Sequence, residues 1–231
     1  MIQQICVLVY VVIILANLKS KSDKMKLDNL SSSIYVINLK HRKDRKTHIT
    51  SELKKIRCKT YKLIEGINGN DLINTTKLSN GMLGLNQTYL KIYDEWSREK
   101  NDSILIIEDD CIFLENFNSE LNLYMSNIPD NWEMVYFGGN HNYHMGSGTE
   151  KINPYCIKLN HTFTAHCVLL KNYVFEELIQ NIKYMTIEND VMMANLQKKY
   201  NSYSSAKALT SQLIGFSNIE NKFVNYNGLI N

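Results

Sequence analysis

Three consecutive carboxylates follow a short apolar run near the middle of the chain. Residues 104–107 are Ile-Leu-Ile-Ile, and Glu108, Asp109 and Asp110 come directly after them. An apolar run of this length predicts a buried parallel strand, and ligands of open α/β sheets bind beyond the carboxyl ends of such strands. We therefore expect the three acids at a ligand-binding edge of a sheet.

The acidic run itself suggests a metal site. Adjacent carboxylates repel one another, and burying them without a cation is unfavourable. A divalent metal, Mg²⁺ or Mn²⁺, bound through oxygen ligands and bridging a diphosphate would account for the run. Glu108 and Asp110 are two residues apart and would share one face of an extended segment. The alternative is a solvated acidic turn after the strand.

The elements that must position these acids alternate along the chain. Besides the acidic strand, strands are predicted at residues 34–39, 60–64, 134–137 and 162–170. Helices are predicted at residues 48–56, 173–182 and 189–200, and over the helically spaced Leu85, Tyr89, Ile92 and Trp96. A basic turn over residues 40–45 separates the first strand from the first helix. This order predicts a Rossmann-like α/β fold with a mixed sheet flanked by helices.

Length and composition allow one large α/β domain and exclude several classes of protein. The chain has 231 residues, 44% of them apolar and 21% charged, with a net charge of +3 that is too small to indicate a nucleic-acid partner. The five cysteines lack any Cys-x-x-Cys pair, which excludes a zinc ribbon and favours buried free thiols. They are Cys6, Cys58, Cys111, Cys156 and Cys167.

The N-terminal residues differ from the rest of the chain. Residues 5–16 are continuously apolar, and as a helix they would span about 18 Å, short of the roughly 30 Å of a bilayer core. This length suits a secretory signal better than a spanning helix. We expect a signal or membrane-anchor segment at 1–18, a linker at 19–33 and the main domain at 34–231.

This segment leaves two locations open. A signal or anchor predicts membrane association or the secretory pathway, in the lumen of the endoplasmic reticulum or Golgi. The alternative is the cytoplasmic face of a membrane, because four lysines follow the apolar residues and positive charge favours that side. They are Lys19, Lys21, Lys24 and Lys26.

Several short motifs occur in a fixed order between residues 34 and 221. They are residues 35–39 (YVINL) with Arg42 and Arg45, residues 65–69 (EGING), 81–84 (GMLG), 106–110 (IIEDD), 164–166 (TAH), 189–190 (ND) and 212–219 (QLIGFSNI). Together they resemble glycosyltransferase family 25, which includes bacterial lipooligosaccharide galactosyltransferases and collagen hydroxylysine galactosyltransferases. The chain departs from that family at four positions, where Leu85, Thr88, Tyr89 and Asn218 replace its Cys, Ser, His and Asp.

The resemblance implies a GT-A type fold and a metal-dependent, inverting hexosyltransferase that uses a UDP-sugar donor. The hexose, galactose or glucose, would pass to a glycan, a lipid-linked saccharide or a protein hydroxyl. Asp110 and Glu108 are the expected ligands of Mn²⁺ or Mg²⁺, and Glu108 and Asp109 the expected metal or ribose contacts. Arg42 and Arg45 are expected to bind the donor phosphates or nucleotide, because guanidinium groups suit phosphate. Their alternative is a solvated basic turn.

An inverting transfer needs a general base that accepts the proton of the acceptor hydroxyl. The resemblance points to Asp190, with Glu188 as the fallback. The alternative for both is an ordinary acidic first turn of a helix. His161 or His166 is a further candidate metal ligand, although a buried or surface histidine without that role is commoner.

Two other functions remain open from the residues. The substitutions at Leu85, Thr88, Tyr89 and Asn218 allow a catalytically impaired binding or scaffold protein. A phosphoesterase would also use a carboxylate run, but no accompanying set of His and Asp ligands supports it.

Overall fold

The computed structural model describes residues 26–99, 101–141 and 149–225. The predicted segment at 1–18, its apolar residues 5–16 and residues 19–25 of the linker lie outside these residues, as do Cys6 and His144. Within the described ranges no helix is both long and apolar enough to cross a membrane. The four described cysteines, Cys58, Cys111, Cys156 and Cys167, are free and buried, as predicted.

A mixed sheet of eight strands forms the centre of the described domain, in the order β2-β1-β3-β8-β5-β9-β7-β6. Its strands are β1 (Ile34–Leu39), β2 (Lys62–Gly66), β3 (Ser103–Glu108), β5 (Met134–Tyr136), β6 (Glu150–Asn153), β7 (Cys156–Lys158), β8 (Cys167–Lys171) and β9 (Ser202–Ser205). Two short antiparallel pairs lie outside it. One joins β4 (Cys111–Phe113) to β10 (Thr210–Gln212), and the other joins β11 (Gly215–Ser217) to β12 (Lys222–Val224).

Helices cover both faces of the sheet. They are α1 (Lys43–Lys55), α2 (Asn80–Trp96), α3 (Phe117–Met125), α4 (Asn172–Ile182) and α5 (Asn189–Leu196), with 3-10 turns at Leu27–Asn29 and Gly69–Asp71. Leu105 and Ile107 pack in the same core as residues of α1 and α3, whereas Ile104 and Ile106 pack with α2, α4 and α5. The acidic strand reads as a continuous apolar run because both of its faces are buried.

The sheet is mixed, as predicted. β3 is parallel to β1 but antiparallel to β8, so the acidic strand lies where the sheet changes direction. β8 begins at Cys167 rather than at the predicted Thr162. The backbone of Thr164 has a φ of 63°, which interrupts an extended strand, and the amide of Thr162 bonds the side chain of Gln197 instead of a neighbouring strand.

The first helix begins earlier than predicted. α1 starts at Lys43 instead of His48, so the second half of the predicted basic turn is helical and Arg45 lies in the first helical turn. Asp44 in that turn interacts favourably with the helix dipole, which helps to explain the early start. As a consequence Arg45 is directed from the helix toward the end of β3.

Candidate functional site

The two aspartates after β3 converge on one guanidinium group. β1 and β3 are adjacent and parallel, so the helix that follows β1 begins over the carboxyl end of β3. Arg45 Nη1 donates to Asp109 Oδ1 at 3.0 Å and to Asp110 Oδ2 at 3.1 Å, and all three side chains are about nine-tenths buried. The strict alternation of an extended strand ends at Glu108, which lets neighbouring carboxylates meet the same partner.

Asn38 is a site residue that the sequence reasoning missed. It is buried near the carboxyl end of β1, and its Nδ2 donates to Asp109 Oδ2 at 2.7 Å and to the Arg42 carbonyl at 3.1 Å. Asp109 is thereby held from two sides. A polar residue near the end of an otherwise apolar strand was the available signal.

The C-terminal hairpin, which consists of β11 and β12, contacts both arginines of the site. Arg45 Nη2 and Arg42 Nη1 both donate to the Phe216 carbonyl, at 2.9 and 3.2 Å. Arg42 Nη1 also donates to Asn218 Oδ1 at 2.6 Å, and its Nη2 pairs with Asp44 at 2.8 Å. The two arginines are therefore bound by specific partners, unlike the residues of a solvated basic turn.

Burial and mutual repulsion shape the electrostatics of the acids. Burial raises the pKa of Asp110; the Arg45 charge opposes this shift and Asp109 adds to it. Burial also raises the pKa of Glu108 well above its usual range, reinforced by Asp110, Asp190 and Asp109. Burial alone would lower the pKa of Arg45, but Asp110 and Asp109 raise it overall. The acids outnumber the one buried arginine, so the site favours an additional positive charge.

Two buried oxygen atoms in this cluster lack hydrogen-bond partners. They are Asp110 Oδ1 and Gln212 Oε1. Gln212 pairs with Cys111 across β10 and β4, and its side chain bonds the Asp110 carboxyl. Unpaired buried acceptors are unfavourable, and carboxylate and amide oxygens are ligands that Mg²⁺ and Mn²⁺ accept. These residues therefore fit a divalent cation, although no group of three His, Cys, Asp or Glu residues with metal-binding geometry is found in the described part of the chain.

Asp190 lies at the start of α5, within electrostatic reach of the acidic run. Burial raises its pKa to about 6, bonds from the Thr164 and Ala165 amides oppose the shift, and Glu188 and Asp110 add to it. Glu188 is the residue before α5 and makes no side-chain cap bond. The structure thus brings together Glu108, Asp110 and Asp190 from distant parts of the sequence.

Buried polar groups surround the Asp190 side of the site. The Tyr89 ring is fully buried and its hydroxyl has no partner; burial raises its pKa well above the usual range, with contributions from Glu108 and Asp190. His166 is also fully buried, its Nε2 lies 2.9 Å from Thr210 Oγ1, and burial lowers its pKa to about 4. His166 is therefore neutral at physiological pH.

The motif segments pack against one another around α2. Thr88 Oγ1 accepts from the Ile67 amide at 2.9 Å and donates to the Gly84 carbonyl at 2.8 Å. A Cβ at Gly81 would lie 2.5 Å from the Asn218 carbonyl, so the C-terminal hairpin can approach the helix start only because this residue is glycine. Segments that are distant in sequence thereby form one wall of the site.

Fold and site together define a mixed α/β domain with a buried acid–arginine cluster at the carboxyl edge of its sheet. The chain belongs to glycosyltransferase family 25: the sequence pattern of that family, described as "LPS biosynthesis protein", matches residues 31–175.

Two curated relatives show further similarity. One is "Procollagen lysyl hydroxylase and glycosyltransferase" of Acanthamoeba polyphaga mimivirus, 27% identical over 182 residues, which cover 67% of this chain and 20% of that protein. The other is "Procollagen galactosyltransferase 2" of Homo sapiens, 28% identical over 139 residues, which cover 50% of this chain and 21% of that protein. The chain thus matches only about a fifth of the length of either relative.

Solved structures are similar only loosely. A protein from STIV is 11% identical with a TM-score of 0.45, and the match covers 83% of this chain and 92% of that one. A glycosyltransferase involved in glycosylation of the PBCV-1 major capsid is 8% identical with a TM-score of 0.38, over 82% of this chain and 95% of that one. Overlap at this level defines neither a fold nor an activity.

Proposed function

We propose that this chain is a hexosyltransferase of the GT-A type that moves a hexose from a UDP-sugar to a hydroxyl group, with inversion at the anomeric carbon. The observation that carries the proposal is the buried cluster of Arg45, Asp109 and Asp110, in which Asp110 Oδ1 and Gln212 Oε1 lack partners. Membership of the family supports the reaction class.

The residues of the cluster have different roles in donor binding. Asp110, Gln212 and Glu108 would hold Mn²⁺ or Mg²⁺, which when bound stabilises negative charge on the leaving diphosphate. Arg42 and Arg45 bind the phosphates or the nucleotide, because their planar guanidinium groups pair well with phosphate oxygens. Asn38 keeps Asp109 oriented toward Arg45, or toward a ribose hydroxyl when the donor is bound.

Asp190 acts as the general base. A carboxylate with a pKa of about 6 is ionised at neutral pH and is more basic than an exposed aspartate. It takes the proton of the acceptor hydroxyl while that oxygen bonds to the anomeric carbon and the bond from the sugar to the diphosphate breaks. Glu188 increases the basicity of Asp190 through its charge and is not itself the base.

The names of the relatives narrow the acceptors worth testing. Both names include procollagen, and one includes lysyl hydroxylase. We therefore propose a hydroxylysine side chain of a collagen-type peptide as the first acceptor to test, ahead of glycans and lipid-linked saccharides. This acceptor also favours the secretory pathway as the location.

A direct assay tests the proposal. Hydrolysis and transfer from a panel of UDP-hexoses should require Mn²⁺ or Mg²⁺ and should be lost in Asp110→Ala, and NMR of the product should show inversion. Folded protein that consumes no UDP-hexose with either metal would instead support the impaired binding protein. The Thr88 contacts do not favour that alternative, because Thr88 retains the hydroxyl function of the serine it replaces.

A further inference from the structure

Two phenylalanine rings lie exposed on the C-terminal hairpin. Phe216 in β11 is directly opposite Phe223 in β12, so both side chains lie on the same face of the hairpin. Phe216 is 45% and Phe223 71% exposed, and Ile214, two residues before Phe216, is also exposed. Large rings that face solvent together on a short hairpin indicate a contact surface for a flat apolar group.

The hairpin that carries these rings is hydrogen-bonded to the candidate site. The carbonyl of Phe216 accepts hydrogen bonds from both Arg42 and Arg45, and Arg45 also binds Asp109 and Asp110. Phe216 therefore contributes both an exposed ring and the backbone carbonyl that binds the two arginines.

The position of the hairpin decides which part of the donor it meets. Arg42 and Arg45 follow β1, and Arg45 bonds the acids at the end of β3. Asp190 interacts with the amides of Thr164 and Ala165, which come just before β8. β1 and β8 pair with β3 from opposite sides. The hairpin and the arginines thus flank one side of the acids and Asp190 the other. With the transferred sugar near Asp190 and the diphosphate at the acids, the nucleoside end points toward the hairpin.

We propose that Phe216 and Phe223 form a stacking platform for the nucleobase of the donor. This inference rests on the proposed function, because it requires that the site binds a nucleoside diphosphate. Every base has a flat face that stacks on aromatic side chains, and loss of one such ring lowers affinity about tenfold. The acids and arginines bind the charged groups, and the rings add affinity for the base.

Calorimetry with two ligands tests the platform. In the presence of Mn²⁺, the wild type should bind UDP at least tenfold more tightly than inorganic pyrophosphate. The variant with both Phe216→Ala and Phe223→Ala should lose most of this difference and keep its affinity for pyrophosphate.

Two further variants serve as controls. Phe223→Tyr keeps an aromatic ring and should bind UDP like the wild type. Tyr155→Ala removes an exposed ring between β6 and β7 and should also bind UDP like the wild type. In NMR spectra the uracil H5 and H6 signals should shift upfield with the wild type and not with the double variant.

The other outcomes separate the two proposals. Unchanged UDP affinity in the double variant overturns the platform and leaves the proposed function intact, even if the KM for an acceptor rises. An equal loss of UDP and pyrophosphate binding overturns it as well, because the hairpin then acts only through its backbone bonds to the arginines. A folded wild type that binds neither ligand contradicts the proposed function and, with it, the platform.

Discussion

Arg45 and Asp110 form a buried ion pair, with Nη1 3.1 Å from Oδ2, and the same nitrogen also bonds Asp109. One guanidinium thus balances part of the charge of two neighbouring carboxylates. Because Arg45 also holds the Phe216 carbonyl, this pair links the acidic turn to the C-terminal hairpin.

Loss of this arginine should be strongly destabilising. Arg45→Ala removes the one positively charged partner that the two buried carboxylates share, and removal of one member of a buried pair lowers stability by about 3–5 kcal/mol. Urea denaturation at pH 7 measures the effect. Arg45→Ala combined with Asp110→Asn should recover part of the loss, whereas simple additivity of the two substitutions would mean that the pair is not coupled.

Asp190→Asn should abolish most of the transfer activity. Removal of a general base lowers kcat by about 10² to 10⁴-fold. In the wild type kcat/KM should rise with pH and level off above about 6, where Asp190 is ionised. Glu188→Gln should reduce the rate far less and move this pH profile toward lower pH, because a negative neighbour has been removed. Equal losses of kcat in Asp190→Asn and Glu188→Gln would contradict the assignment of Asp190 alone as the general base.

The same carboxyl predicts how stability depends on pH without metal. The pKa of Asp190 is raised from 3.8 to about 6 in the folded chain, so the folded state binds this proton more tightly than the unfolded state. Its contribution to the free energy of unfolding is therefore greatest below pH 4 and is lost as the pH rises through about 6. The difference in Tm between wild type and Asp190→Asn should fall between pH 4 and 7. A difference that grows with pH would contradict the sign of the shift.

Thr88 should matter for stability through its hydroxyl. Thr88→Val removes the bonds to the Ile67 amide and the Gly84 carbonyl and should lower the free energy of unfolding by about 1–3 kcal/mol, because a buried amide loses its partner. Thr88→Ser keeps the hydroxyl and should be close to the wild type. Thermal and urea unfolding of the two variants provide the measurement. A larger loss in Thr88→Ser than in Thr88→Val would indicate that packing of the methyl group dominates.

Local patterns in the sequence identified much of the fold and the site. The first strand has the predicted bounds, and the acidic strand and the helix before it form where their apolar spacing placed them. The strand end that carries Glu108 and Asp110 and the helix start that carries Asp190 also lie where they were predicted. These features depend on side-chain type and spacing, which the sequence shows directly.

Other features depend on contacts between distant segments. The antiparallel direction of β8 is set by its pairing with β3 and β5 and not by its composition. The partner of both arginines is the backbone carbonyl of Phe216, and a carbonyl is common to every residue and gives no sequence signal. In the sequence Gln212 appears only as part of a motif. Its position beside the acidic turn follows from the pairing of β10 with β4.

The bonds from Arg42 and Arg45 to Phe216 join residues 174 and 171 positions apart. Closing so long a stretch of chain is entropically costly and can occur only after the last strands have been synthesised. A nascent chain can therefore form its central sheet before Arg42 and Arg45 reach the carbonyl that binds them both. The proposed donor site would be complete only after the hairpin of β11 and β12 has docked on these arginines.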